Sequence, residues 1–336
     1  MPQLATFYYK RFWVVSGKAA LVLLLSYTLY HQIGRHDYWK SFASLWTHEI
    51  WSQHWPYLFC ALLLMPVNWA LETWKWWTLF NKIYPSPYLM ALRAVLAGIT
   101  LSLFTPHRVG EYGGRLLPYP FSVHRQVIMA SLVANYGQLL SLLSAGFLGI
   151  SYLGRIFFAE NDILYYSGLG VIGLLIALLW WSFLAIKRFI PIISRLNWPK
   201  WMQWLPRTFE LGTLFNKAAL VQVALLAGVR YLVYSWQLVL LLYFFGLNIP
   251  WLSLLMGVFA IFLLQSGLPL PPALGVLTRG ELGVLVWQHF QPNPLVILAA
   301  SLALFIINLA IPALLGMIVI VKTNITKSFG YERGVD

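Results

Sequence analysis

The polar segment 105–115 carries the densest set of side chains that could do chemistry in this 336-residue chain. It contains one histidine, two arginines and one glutamate: His107, Arg108, Arg115 and Glu111. Its three glycines permit sharp turns and expose backbone amides, and guanidinium groups fork onto phosphate oxygens. The segment therefore indicates a site for an anionic headgroup, in which Glu111 balances or positions one arginine. The alternative is an ordinary loop outside the membrane with solvated charges.

A second segment, 269–283, repeats part of this pattern. In both segments prolines are followed by an arginine, a glycine and a glutamate, so Arg279 and Glu281 correspond to Arg108 and Glu111. Each segment follows a short apolar run of the chain. The repetition adds Arg279 and Glu281 to the candidate substrate-binding residues.

Arg230 lies about a dozen residues into a long apolar run. An arginine near the centre of a bilayer costs at least about 2.5 kcal/mol unless it is paired or hydrated. Arg230 is therefore predicted to face the protein interior and to contact the substrate. The alternative is a structural ion pair with Glu111 or Glu281 that closes the helix bundle.

Several other residues are secondary candidates for the cavity. His107 lies in the polar segment 105–115 itself. Glu72, Asn135 and Gln138 lie within apolar runs, and for them hydrogen bonding between helices is the alternative to ligand contact. Arg93 either lines the same cavity or extends its side chain towards the membrane surface.

Several functional classes are excluded by motif and composition. His48 and Glu49 resemble the start of a zinc-protease motif, but the next histidine, His54, misses the one-turn spacing, and Cys60 is the single cysteine. No nucleotide-binding loop or nucleophile elbow is present, so we expect no metal, no cofactor and no enzyme activity. The formal charge of +13 is scattered beside apolar runs, which does not indicate nucleic-acid binding.

Composition and hydropathy predict the elements that position these residues. The chain is 60% hydrophobic and 10% charged, which indicates an all-α polytopic membrane protein with a single integral membrane domain, 1–336. Two apolar runs, 88–104 and 251–268, are short and end in segments rich in glycine and proline. Six others can cross about 30 Å of hydrocarbon: 13–30, 56–80, 126–153, 163–186, 218–245 and 294–321.

The positive-inside rule decides between two topologies. Eight full spans would place the basic loop 187–217 opposite the basic N-terminus, whereas two re-entrant hairpins bring both to the cytoplasmic side. We therefore predict six spans and two oppositely oriented hairpins in an inverted repeat, with halves 1–153 and 163–321 and hairpin tips that meet inside the bundle. The loop 187–217 is then a cytoplasmic interfacial segment, and both termini are cytoplasmic. The other basic residues placed on that side are Lys10, Arg11, Lys75, Lys82, Lys322, Lys327 and Arg333.

Residues 106–111 match the Pro-x-Arg-x-Gly-Glu motif of a flippase-like family related to the transmembrane region of lysylphosphatidylglycerol synthases. Residues 272–276 resemble that family's second motif, with Ala273 in place of a glycine. The resemblance implies movement of aminoacylated or glycosylated lipids between leaflets, in a bacterial or archaeal plasma membrane. In that family lipid aminoacylation is done by an additional soluble domain, which we expect this chain to lack.

The leading hypothesis is a flippase in which Arg108, Arg230 and Arg279 bind the headgroup of a phospholipid or polyprenyl phosphate. A second hypothesis is a membrane-embedded transferase on a lipid-linked substrate, with Glu111 or Glu281 as general base. A third is a non-catalytic membrane partner of a lipid or glycan assembly enzyme, which docks through the basic loop.

Overall fold

The computed structural model describes residues 48–103, 105, 109–157, 162–195, 198–199, 204–268 and 274–323. Within these ranges the chain is helical and contains no strand, as expected where backbone polar groups must be satisfied inside each segment. The helices are, in chain order, α1 (His48–Ile83), α2 (Tyr88–Ser102), α3 (Gly110–Leu116), α4 (His124–Phe157), α5 (Asp162–Leu184), α6 (Ile186–Ser194), α7 (Trp204–Glu210), α8 (Lys217–Phe244), α9 (Trp251–Ser266), α10 (Gly275–Val286), α11 (Pro294–Phe305) and α12 (Ile311–Lys322).

Five segments of the described chain are long and apolar enough to cross a membrane: Gln53–Ile83, Phe121–Gly154, Tyr165–Leu184, Lys217–Phe244 and Pro294–Lys322. They coincide with five of the six predicted spans, and the remaining one, 13–30, lies outside the described residues. The last segment combines α11 and α12 through a π-helical turn, Ile306–Ala310. The prediction of an all-α polytopic membrane protein is confirmed.

The two short apolar runs form hairpins of paired helices. Helix α2 has 15 residues and α9 has 16, so each extends about 22–24 Å and falls short of the hydrocarbon thickness. Helix α3 packs back on α2, and α10 packs back on α9. Residues 106–108 and 269–273 lie outside the described part of the chain. The side of the membrane from which each hairpin enters stays a prediction.

Packing between the two halves of the chain is reciprocal. Helix α2 of the first hairpin packs on α12, and α9 of the second hairpin packs on α4, while α1 and α8 pack along each other. Each hairpin is thus held by the last long helix of the other half, which is the arrangement that two related halves would produce. The boundaries of those halves stay a prediction.

Glycines bring these helices into backbone contact. A Cβ atom on Gly114 of α3 would lie 2.3 Å from the carbonyl oxygen of Ala97 on α2. A Cβ on Gly316 of α12 would lie 2.1 Å from the Leu96 carbonyl oxygen, and one on Gly149 of α4 would lie 2.5 Å from the Met256 carbonyl oxygen on α9. Both hairpins are therefore fixed by contacts that no larger residue permits.

The described parts of the segment 187–217 fold as short helices against the bundle. Helices α6 and α7 pack together, and the 3₁₀ turn Leu211–Leu214 follows α7. Thr208 and Phe215 are fully buried, and Gly212 lies against Met129 of α4. The segment is thus more than a solvated loop. Its location at the cytoplasmic interface stays a prediction.

Replacing Gly114 by alanine should destabilise the first hairpin, because the new methyl group must displace the α2 backbone. We expect a loss of about 1–3 kcal/mol, measured as a lower thermal unfolding midpoint in detergent. Gly113→Ala is the matched control, since nothing lies within 4 Å of its Cβ position. Equal midpoints for the two variants would contradict the close contact between α2 and α3.

Candidate functional site

A buried carboxylate, Glu72 on α1, lies at the centre of the bundle and contacts three cationic side chains. Lys75 Nζ lies 2.7 Å and Arg230 Nε 3.1 Å from Glu72 Oε2. Arg115 Nη2 donates to Glu72 Oε1 at 2.7 Å. Glu72 is 4% exposed, and Lys75 is fully buried. We call Glu72, Lys75, Arg115, Arg230 and Glu111 the charged cluster.

These side chains reach Glu72 from three elements. Lys75 follows it by three residues on α1, and this spacing places both on one helix face. Arg115 comes from α3, the return arm of the first hairpin, and Arg230 lies halfway along the 28-residue helix α8. The charged cluster therefore joins the first hairpin to the two central helices.

Arg115 makes further contacts that account for its burial. Its guanidinium also pairs with Glu111, one turn earlier on α3. Its Nη1 atom donates to Ser131 Oγ on α4 at 3.5 Å, and the group lies over the ring of Trp76 at 5.6 Å. Together these contacts offset the cost of burying the charge.

Gln138 of α4 bridges Lys75 and Arg230, the two other cations of the charged cluster. Its Oε1 atom accepts hydrogen bonds from Lys75 Nζ at 3.1 Å and from Arg230 Nη1 at 3.0 Å. The Arg230 guanidinium also lies over the ring of Trp69 at 5.6 Å. The charged cluster thus contains three cations and two carboxylates, which leaves an excess of one positive charge in the interior.

A cavity of about 410 Å³ lies beside the charged cluster and is lined by residues of α1, α4, α8, α9, α10, α11 and the π-helical turn. We call it the large cavity; its volume is typical of small-molecule sites. Arg230 and Arg279 both line it, and none of its described lining residues is acidic. A second cavity of about 50 Å³ lies at Glu72 itself, and Arg230 lines both.

Arg279 of α10 is 5% exposed and has only neutral partners among the described residues. Its Nε atom donates to the Gly275 carbonyl oxygen at 3.1 Å, and its Nη1 atom donates to Tyr234 Oη at 3.4 Å. The ion pairs of Glu72 and Glu111 do not include Arg279. Arg279 therefore adds a second positive charge at the large cavity that no described residue neutralises.

The structure brings together most of the residues that the sequence singled out. Glu111, Arg115, Asn135, Glu72, Gln138 and Arg230 line the smaller cavity, and Gln138, Arg230 and Arg279 line the large one. Asn135 bonds between helices, since its Nδ2 atom donates to Tyr112 Oη at 3.3 Å. His107 and Arg108 lie outside the described residues.

Two candidates lie elsewhere. Arg93 is exposed on α2 and lines neither cavity, so its prediction as a cavity residue is wrong and its side chain extends outward. Glu281 is half-buried on α10 and also lines neither cavity, because it points away from the face that carries Arg279. The alternative ion pair of Arg230 with Glu111 or Glu281 is wrong as well, since Glu72 is the partner.

Lys75, which the sequence analysis placed with the cytoplasmic basic residues, has a side chain that is buried against Glu72, and the side of the membrane on which it lies stays a prediction. Its spacing of three residues from Glu72 is the signal that could have revealed the pair. The proposed match of Arg108 with Arg279 stays a prediction, because Arg108 lies outside the described residues. Among the described residues, Arg115 follows the start of α3 by five residues and Arg279 follows the start of α10 by four, so each return arm carries an arginine near its first turn.

The family model of the lysylphosphatidylglycerol synthase TM region matches residues 14–316. The chain belongs to this family. No curated protein and no solved structure matches it. Family membership confirms the resemblance seen at residues 106–111, and together with the five long apolar helices it makes the chain a multi-pass membrane protein with a lipid-related function.

Replacing Glu72 by glutamine should destabilise the fold strongly, because three buried cations would keep only Glu111 as counterion. We expect a loss of about 3–5 kcal/mol, measured from the thermal unfolding midpoint in detergent. Arg230→Gln should cost less, because the charged cluster then becomes neutral and Glu72 keeps Lys75 and Arg115. Glu210→Gln, at an exposed position of α7, is the control. A Glu72→Gln midpoint equal to that of Glu210→Gln would refute this role of Glu72.

Proposed function

We propose that this protein binds the anionic headgroup of a phospholipid or lipid-linked phosphate in the large cavity and moves that headgroup between leaflets. The observation that carries the proposal is the pair Arg230 and Arg279. Both line one cavity, and the described lining residues include no carboxylate to neutralise them. Family membership supports a lipid as the ligand.

The energetics of the bilayer favour an anion at this place. Positive groups inside a membrane protein are costly and are retained where they pair or mark a substrate path. Arg279 has no counterion among the described residues, and Arg230 shares Glu72 with two other cations. A phosphate in the large cavity would supply the missing negative charge, and both guanidinium groups suit its geometry.

The two arginines belong to different structural units, which suits a path for a headgroup. Arg279 lies on the return arm of the second hairpin, whereas Arg230 lies on α8 at the boundary with the charged cluster. A headgroup could pass from one to the other while its tails stay in lipid. With both termini cytoplasmic in a bacterial or archaeal plasma membrane, the path would connect the two leaflets of that membrane.

A transferase fits the geometry less well. The two glutamates considered as general bases are Glu111, which is paired with buried Arg115, and Glu281, which lies off the large cavity. A non-catalytic scaffold would have no use for a cavity with uncompensated positive charge. Transport or binding of a lipid headgroup is therefore the better-supported function.

In liposomes, the purified protein should accelerate transbilayer movement of a fluorescent phosphatidylglycerol, read as the fraction bleached by an impermeant reductant. Arg279→Ala should lower the rate about tenfold or more, because one charge-assisted contact with the phosphate is lost. Arg93→Ala is the matched control, since it removes an exposed arginine of a hairpin. Protein liposomes that bleach like empty ones, or equal rates for the two variants, would overturn the proposal.

A further inference from the structure

Lys75 of α1 contacts the same two atoms that hold Arg230 of α8 in place. Lys75 Nζ lies 2.7 Å from Glu72 Oε2, and Arg230 Nε lies 3.1 Å from the same oxygen. Gln138 Oε1 accepts a hydrogen bond from Lys75 Nζ at 3.1 Å and another from Arg230 Nη1 at 3.0 Å. Among the described residues, the ion pair and the hydrogen bond of Arg230 are therefore both made to atoms that Lys75 also contacts.

Arg230 is the most loosely held cation of the charged cluster. Its Nε atom has no hydrogen-bond partner among the described residues, so its contact with Glu72 is an ion pair without a hydrogen bond. Arg115 Nη2, in contrast, donates to Glu72 Oε1 at 2.7 Å and also pairs with Glu111. The Arg230 side chain is 14% exposed, whereas those of Arg115 and Lys75 are 1% and 0% exposed. Arg230 is thus the cation of the charged cluster that a ligand can reach.

The remaining charges of the cluster balance without Arg230. Lys75 and Arg115 carry two positive charges, and Glu72 and Glu111 carry two negative ones. Removing a partner from a buried carboxylate is costly when the charge is left unpaired. Here Glu72 keeps two cations when Arg230 turns away, so that guanidinium can be released at little cost. An anion in the large cavity, which Arg230 also lines, would gain it.

The same balance without Lys75 gives the opposite result. Arg115 and Arg230 would then be needed to neutralise Glu72 and Glu111, and the oxygens that Lys75 vacates would contact Arg230 alone. Turning Arg230 towards an anion would leave two carboxylates with one cation. In an interior that does not solvate charge, this would raise the cost of binding the anion. Lys75 itself does not line the large cavity.

We propose that Lys75 is a positioning residue of the headgroup site, because by occupying Glu72 and Gln138 it keeps Arg230 available to a phosphate in the large cavity. When the phosphate binds, it takes the Arg230 guanidinium, and Glu72 retains Lys75 and Arg115. The inference rests on the proposed headgroup function. It adds a buried residue that sets the affinity of the site without contacting the ligand.

The test is binding of a fluorescent phosphatidylglycerol to the purified full chain in detergent micelles, measured as a dissociation constant. Lys75→Met should weaken binding about fivefold, because it removes the charge that competes with Arg230 for Glu72. Methionine is unbranched and flexible like lysine, and the charged cluster becomes neutral, so the thermal unfolding midpoint should stay close to that of the wild type. Lys82→Met, at an exposed position in the last turn of α1, is the matched control and should leave the affinity unchanged.

The Arg230→Gln background distinguishes positioning from simple loss of charge. A positive charge removed from the interior also weakens anion binding directly, whatever Arg230 does. That direct effect would persist in Arg230→Gln, whereas an effect exerted through Arg230 would vanish. We therefore expect Lys75→Met to lower the affinity about fivefold in the wild-type chain and by about twofold or less in Arg230→Gln.

The outcomes separate this inference from the proposed function. If Arg279→Ala leaves phosphatidylglycerol binding unchanged, the headgroup function fails. If Arg279→Ala weakens binding but Lys75→Met does not, or if Lys75→Met weakens it equally in both backgrounds, only the positioning role of Lys75 fails. A Lys75→Met chain that unfolds in detergent would also overturn that role, because it would show that the charged cluster has no cation to spare.

Discussion

The carboxylate of Glu72 is the contact on which the rest of the interior depends. It is shared by cations from α1, α3 and α8, so a single side chain fixes the first hairpin against both central helices. In a medium that does not solvate charge, each of these cations requires a nearby counterion or neutral acceptor. Gln138 and Ser131 of α4 supply the acceptors, and this draws a fourth helix into the same arrangement.

The imbalance of charge connects that arrangement to the proposed function. Two carboxylates do not neutralise three cations, and Arg279 adds another positive group a short way along the cavity wall. A bundle built only for stability would gain from apolar replacements of similar volume at these positions. The positive charges are instead concentrated where a cavity can admit an anion, and Arg230 belongs to both the charged cluster and that cavity.

Backbone packing explains how the hairpin arginines are held in place. Gly114, Gly149 and Gly316 allow helices to approach until main chains touch, which is the usual way to pack helices where lipid removes the hydrophobic driving force. Because each hairpin rests on the last long helix of the opposite half, Arg115 and Arg279 project inward from comparable positions on two short helices. The first arginine is paired with Glu72 and Glu111, whereas the second has only neutral partners among the described residues.

The sequence by itself determined the membrane class, five of the described crossing segments and the two short hairpins, because hydropathy and length are local properties of the chain. It also singled out Arg230 and Arg279 as candidate site residues, since an arginine in or beside an apolar run is costly unless it is paired or hydrated.

Only the tertiary structure decided which charged and polar residues pair with each other. Glu72 and Arg115 are 43 positions apart, and Glu72 was one polar residue among several in apolar runs until the helices were packed. Lys75 was predicted among the cytoplasmic charges, and packing buries its side chain. For Arg93 the sequence left open a cavity position and an outward one, and the side chain proved exposed. A charge in a membrane helix is stabilised by whichever group packing brings within hydrogen-bonding distance, and that neighbour is set by helix crossing and rotation.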